Sequence, residues 1–591
     1  MSRVQSLLLG LSCVGLLACA AETTEGSALT ASPDATTDGG ASATGTDSGP
    51  STASSDASGG GLDAPGLDVT APEVGVSVKP LALVYVDNPI STPTPTEVEL
   101  LHLTTWGTTA PAGLEPKSLV GDYADVVNCW PDAENGTAVQ AGPLTLTQCT
   151  PKHAALPGQD GTYRHIVPPT SPTAADDRFA EVMMYHHMQV IHDYFKDGHG
   201  LTDLDRPLKA VVNLQVHPKG LCDEWSSIGN AAYSPDGIMD FGFPIDLKLG
   251  GDAIIFGQTT SKDFAYEAGV IYHEYTHAMV GTTRLSGLAP DNFGLTNLSG
   301  ALNEAYADYF SCTVRNNPIV GEYALNATEA PTVCGVPLGG AGGNLSRDLT
   351  AKRACPGDLT GEVHADSEIF SAALWEIREK LGAEKADDVI FGALHGFSNT
   401  TDFNFAAQLT AQEAVKRLKS NDEVAIVNKA FNSRGIIGCK RVVPAKAVGS
   451  RGLPLTYYPH GAFGGDPWGG FVPGLLQIQV DAPPDTKEIQ LDFKSYGTMN
   501  ASVAWKAGPE PVVYYVEGLF GKQFKNDAMT VSSLEKTGKN AYRTRLSGSC
   551  VSAGTWTFSI HNQGGDFQLV GVTATFAKAP TGTPNFDTCG K

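Results

Sequence analysis

The stretch VIYHEYTHAMVG, residues 270–281, holds the pattern H-E-x-x-H once in a chain of 591 residues. On a helix, positions four apart share a face, so His273 and His277 can each turn one ring nitrogen toward a single ion. Glu274 lies about 100° round the axis, too displaced to ligate beside them but close enough to reach a water. Phe264, Ala268, Ile271, Tyr272, Tyr275 and Met279 recur at helical spacing around the pattern, and Gly281 suits a C-terminal cap. A catalytic zinc site takes three protein ligands and keeps one open position, so the motif is one ligand short.

The continuation H-x-x-G-x-x-H, which would supply a third histidine, is absent after residue 277. LSGALNEAYADYF, residues 298–310, follows instead, with Glu304 and Asp308 again four apart. Glu304 supplies the missing carboxylate, and Asp308 is placed to accept the second ring N–H of a ligating histidine.

HEYTHAMVG followed by SGALNEAYAD resembles the gluzincin peptidases, in particular the thermolysin and fungalysin families, and is most similar to the bacterial fungalysin type. EVHADSEIFSAALWEIREKLG (362–382) resembles a further block of that pattern, with Ser367 and Phe370 where the pattern has Gly and Trp. FNSRGI (431–436) resembles the close of the catalytic domain, so the likeness spans roughly residues 176–440. It implies an α+β fold with a β-rich N-lobe and a helical C-lobe. It implies zinc on His273, His277 and Glu304, with Glu274 as general base. By the same likeness His364 stabilises the oxyanion, Asn230 and Ala231 of NAAYSPDG pair with an extended substrate, and Arg347 of NLSRDLT grips a substrate carbonyl oxygen. Two departures stand out. Residues 278–303 contain no tyrosine where thermolysin has its oxyanion tyrosine, and position 359 is Leu where an aspartate would orient the histidine, although Asp358 is adjacent.

The rest of the chain divides by composition. Residues 1–18 read as a lipoprotein signal peptide, in which Arg3 precedes LLLGLSCVGLL and Leu16-Leu17-Ala18-Cys19 resembles the bacterial lipobox. Cys19 is then the lipidated residue, and Ala20 after it favours the outer membrane. The alternative is an ordinary leader cleaved nearby. Residues 19–72 are rich in Ser, Thr, Gly and Asp with almost no large apolar side chain, which suits a disordered tether. Strand signals in LALVYV (81–86) and VELLHLTTW (98–106) make 73–175 a β-rich N-terminal region, either a small domain or a pro-segment remnant. In the peptidase region, 176–440, helical spacing appears near 179–195 and over 263–280, 299–315, 367–381, 403–419 and 421–432. Residues 441–591 alternate in short apolar runs and read as a β-sandwich accessory domain.

With 64 acidic against 40 basic residues and a net charge of −24, the surface repels phosphate backbones, which argues against nucleic acid as a partner. No C-x-x-C pair occurs, so the cysteines of this exported chain read as disulfides. Neighbours in sequence suggest Cys129–Cys149, Cys334–Cys355 and Cys550–Cys589, with Cys222–Cys439, leaving Cys312 as a small apolar residue. His186, His187 and His192 lack a carboxylate in register and read as structural or solvated. Asp203 and Asp205 could take Ca2+, but no calcium motif accompanies them. The function expected is a zinc endopeptidase acting on extracellular protein. It would be tethered at the cell envelope by its lipid, or released if that is cut away. A gluzincin exopeptidase and a non-catalytic surface lipoprotein that keeps the fold as a binding module are the alternatives.

Overall fold

The computed structural model describes residues 79–581, apart from 107–116, 133, 142–143, 172–173, 175, 221, 241–243, 286–288, 292–293, 297, 327–331, 335, 338–343, 361–362, 450–454, 458–475, 516–524, 527–529 and 565–566. The leader, Cys19 and the 19–72 tether lie outside the described residues.

The N-lobe is built on an eight-stranded sheet. Strand β1 (Ala124–Trp130) and strand β4 (Ala253–Gly257) both run parallel to β2 (Leu208–Lys219). Strand β3 (Ala231–Ser234) pairs antiparallel with β4 and ends the sheet. LKAVVNLQV of β2 is buried at nearly every position because both faces are covered, as expected of a parallel strand. One face packs on helix α1 (Arg178–His199), and the other holds Val127, Leu146, Val211, Val216 and Ile255.

Residues 79–175 are not a module apart. β1 lies beside β2 in the same sheet, and Ala82, Val84, Tyr85, Leu100 and Tyr163 share one core with α1. The Asp87 carbonyl accepts the Ala268 N–H at the start of the motif helix, and the Asp87 carboxylate pairs with Arg315. Of the strand expected at 98–106, only Thr96–Glu99 forms, against Leu81–Val84. His102, in the left-handed region at φ 58°, breaks the extended run.

The motif helix, α2 (Ala268–Gly281), is buried on every side from Ala268 to Val280. Phe264 belongs to a separate 3-10 turn before it. Gly281 is the last helical residue, and Thr282, in the right-handed region, follows as the cap. Helix α3 (Leu298–Arg315) crosses α2 closely. A Cβ on Gly269 would stand 2.7 Å from the Arg315 guanidinium carbon, and Ser311 Oγ donates to the Gly269 carbonyl at 2.6 Å. Helices α4 (Val363–Leu381), α5 (Ala383–Leu394), α6 (Phe403–Arg417) and α7 (Asn421–Ser433) complete the lobe. The spacing did not announce α5, whose Ala386, Val389, Ile390, Ala393 and Leu394 nevertheless form a buried stripe.

The C-terminal region is a sandwich of two five-stranded sheets. One runs Val442–Pro444, Gln477–Ala482, Gly554–Gly564, Asn500–Ala507, Thr530–Ser533. The other runs Leu455–Tyr457, Phe567–Ala577, Glu488–Tyr496, Ala541–Ser547, Glu535–Gly538. Phe493, Trp505 and Phe558 pack between them. The hairpin of Ala289–Asp291 and Gly294–Thr296, which joins α2 to α3, lies in a separate four-stranded sheet, where Gly294–Thr296 pairs with Tyr514–Tyr515.

Cys129–Cys149 forms as the sequence suggests, and Cys312 is buried and free. Two of the other suggestions exchange partners. Cys222 bonds Cys334 and Cys355 bonds Cys439. The hairpin of Thr332–Val333 and Val336–Pro337 brings Cys334 to Ser226, and Cys355 N–H donates to the Arg434 carbonyl beside Cys439. Cys550 is disulfide-bonded, and Cys589 lies outside the described residues. Among the described residues no helix is long and apolar enough to cross a membrane.

Candidate metal centre

Because α2 and α3 cross at Gly269, the inward face of α2 meets that of α3 two turns further on. His273, Glu274, His277, Glu304 and Asp308 are all buried there. The Nε2 atoms of His273 and His277 lie 3.1 Å apart, with their rings perpendicular at 89°. Both face Glu304 Oε2, at 3.2 Å and 3.7 Å. Among the described residues these three are the one set of His, Cys, Asp or Glu side chains whose ligand atoms converge on a common ion, all within 4.8 Å of one another.

The donor set fits zinc: two imidazole nitrogens and a carboxylate oxygen, with each imidazole supported from behind. His273 Nδ1 lies 2.9 Å from Asp308 Oδ1, and His277 Nδ1 lies 2.9 Å from Asn303 Oδ1. Those contacts leave both Nε2 atoms directed inward. Glu304 Oε2 is buried and faced within 3.7 Å by three imidazoles, a setting that suits a shared cation. Desolvation opposes charge on Glu304, but His364, His277 and His273 outweigh it and hold the carboxyl well below the usual range. Burial likewise opposes charge on His273, yet Asp308 and Glu304 raise it to about 10. The pocket therefore favours positive charge.

Glu274 is not part of the converging set. Its Oε2 accepts the backbone N–H of Tyr233, on the end strand β3, at 2.8 Å. Residues two apart on a strand present their backbone groups to the same edge, so Ala231 shares the open edge with Tyr233. Ala231 is half-buried, and the Asn230 carbonyl turns inward to accept Gly257 N–H at 2.8 Å.

His364, the second residue of α4, comes within 3.5 Å of Glu304 Oε2 and is partly exposed. Asp358 is engaged elsewhere, with Ala354 N–H and Arg353. Ser367 Oγ donates to the His364 carbonyl at 2.6 Å, and Phe370 packs against Tyr306, Phe403 and Phe431, so both departures from the family pattern have local roles. Arg347 is buried, and its Nε and Nη2 donate to the two oxygens of Asp308 at 2.8 Å and 2.6 Å. Its fork thus sits behind His273, bracing the aspartate. Burial opposes charge on Asp308, but Arg347 and His273 lower it to about 2.

Two of the residues set aside as structural are tied into the fold. His187 bonds Tyr272 Oη and the Tyr85 carbonyl, and His192 sits between Asp193 and Asp205. Asp205 is also paired with Lys196. The backbone N–H of Tyr233 and the amide of Asn303 are the supports that motif reading missed. Asn303 was visible as the Asn of N-E-x-x-x-D, whereas Tyr233 left no signal near residue 274.

Residues 292–436 match the family described as thermolysin metallopeptidase, α-helical domain. A gelatinase of Enterococcus faecalis is 27% identical over 271 residues, 43% of this chain and 46% of the relative. Bacillolysin of Bacillus amyloliquefaciens is 26% identical over 196 residues, 32% of this chain and 35% of the relative. An extracellular metalloproteinase of Pyrenophora tritici-repentis is 30% identical over 153 residues, 25% of this chain and 21% of the relative. The chain spans less than half the length of these curated relatives. Over its peptidase region the chain is similar to the thermolysin/fungalysin-like zinc metallopeptidases.

Proposed function

We propose that this chain is a zinc-dependent endopeptidase acting on extracellular polypeptides. The convergence of His273, His277 and Glu304 within 4.8 Å, with Glu274 beside them, carries the reading. A zinc ion held by those three residues would supply Lewis acidity and a water acidic enough to serve as nucleophile at neutral pH. Glu274, fixed by Tyr233 N–H, takes the water's proton as the scissile carbonyl is attacked and returns it to the leaving amine. His364 donates from its Nε2 to the developing oxyanion. Ala231, on the open edge of β3, pairs with an extended peptide by its backbone, and the side chain of Asn230, whose carbonyl faces β4, holds the chain beyond it. Asp308, clamped by Arg347, fixes the tautomer of His273.

Cys19 anchors the protein to the bacterial envelope by lipid, and residues 79–175 stay in the mature enzyme. The sheet that β1 and β2 share supports the second point, because excising β1 would strip one side of a buried strand. An internal cut distinguishes endopeptidase from exopeptidase. A peptide blocked at both termini is cleaved within its length, and a chelator stops the reaction. Trimming of free ends alone, with blocked peptides left intact, overturns the reading.

A further inference from the structure

The base of this reaction hangs on an edge strand. Among the described residues β3 is bonded to a neighbouring strand on one side only, through the register Ala231↔Phe256 to Ser234↔Ala253. Its Tyr233 N–H is what Glu274 Oε2 accepts, at 2.8 Å. A strand with one free edge can rock about its single ladder, and each small rotation would re-aim the carboxylate.

A second set of contacts opposes that rotation. Tyr233 faces Ile254 across the β3–β4 ladder, and Asp252 lies two residues before Ile254, hence on the same face and diagonal to the tyrosine. Tyr233 Oη donates to Asp252 Oδ2 at 3.2 Å. Arg206, just ahead of β2, donates from Nη2 to that same oxygen at 2.6 Å and holds the aspartate in place. Burial, with Asp252 beside it, pushes the phenol well above its usual range, so it remains a donor at every working pH. The ring also runs along α2, since a Cβ on Gly281 would meet Tyr233 Oη at 3.7 Å. One residue thus holds the base by its backbone and is itself fixed by its side chain.

We propose that Tyr233, Asp252 and Arg206 are positioning residues for Glu274, an inference that rests on the endopeptidase reading above. The phenol is not needed to form β3, whose ladder to β4 is made by backbone, so its loss leaves the sheet and the metal ligands in place. What it removes is the alignment of the carboxylate with the attacking water, which acts on kcat rather than on substrate binding.

The test uses the full chain with Tyr233→Phe, Asp252→Asn and the double variant, assayed on an end-blocked, internally quenched peptide beside zinc content and Tm. Each single variant is expected to lose about tenfold in kcat with KM, zinc content and Tm held near wild type. The double variant is expected to be no slower than either single, because both remove one support. Unchanged kcat in Tyr233→Phe overturns the proposal, as does a rise in KM alone or a fall in kcat that follows Tm. An active wild type with such variants sinks this inference only. A zinc-loaded wild type that cuts nothing sinks the endopeptidase reading and this inference with it.

Discussion

Replacing Arg347 by Met removes the two donors that hold Asp308 while keeping much of the side-chain bulk. Asp308 is fully buried and shares its charge between Arg347, at 2.8 Å and 2.6 Å, and His273 Nδ1, at 2.9 Å. Leaving a buried carboxylate without its cationic partner costs about 3–5 kcal/mol. The carboxyl, held at about 2 largely by the Arg347 charge against its own burial, then moves up toward protonation. Either response, protonation or rotation, loosens the brace on His273, and loss of such a brace weakens metal binding about 10- to 100-fold. Zinc affinity is read by competition with a graded chelator, and stability by thermal denaturation of the metal-free protein. Asp308→Asn combined with Arg347→Met is the informative second variant. It removes both charges, so stability returns toward wild type, but zinc affinity stays low because an amide is a poorer acceptor. If Arg347→Met leaves zinc affinity untouched and raises KM alone, Arg347 grips substrate and the brace described here is wrong.

Three further outcomes follow from the fold. Burial raises the folded-state pKa of Asp177 to about 6 and of Glu181 and Glu267 to about 7, against ordinary values of 3.8 and 4.5. Groups raised in the fold stabilise it below their unfolded pKa and lose that contribution as pH rises through the folded value. In zinc-free protein, Glu181→Gln should therefore flatten the pH dependence of the unfolding free energy, relative to wild type, by at most about 3 kcal/mol between about pH 4.5 and 7, and an unchanged dependence would contradict this. Cys355–Cys439 spans a separation of 84 residues, so Cys439→Ser should cost about 4–5 kcal/mol by chain entropy, checked by denaturant titration. N-terminal sequencing of the active species should find residues 79–175 still attached, and an active fragment beginning near 176 would refute their place in the sheet.

Much of the metal centre was legible because its residues recur locally. His273 with His277, and Glu304 with Asp308, are each four apart, and a helix turns that spacing into one face. The departures at Ser367 and Phe370 could be seen but not interpreted, since their partners, the His364 carbonyl and the ring of Phe431, depend on packing. Tyr233 was invisible as a support because its contact with Glu274 is a backbone N–H, which every residue but proline carries. Disulfide partners failed for a related reason. Pairing neighbours in sequence treats loop closure as decisive, whereas Cys334 and Cys355 are brought to Cys222 and Cys439 by hairpin and helix packing. The pairing of β1 with β2 was not legible because parallel strands join across long connections, leaving no local trace. Helix α5 was missed for want of a motif, although its apolar stripe was present.

The central claim is that three ligands hold one zinc ion and Glu274 acts as base beside it. The most direct measurement is zinc stoichiometry with peptide cleavage in the wild type, Glu304→Gln and Glu274→Gln. One zinc per chain is expected in the wild type and in Glu274→Gln, with cleavage only in the wild type, and Glu304→Gln should lose both. Cleavage that survives in Glu274→Gln, or zinc that stays fully bound in Glu304→Gln, would contradict the account.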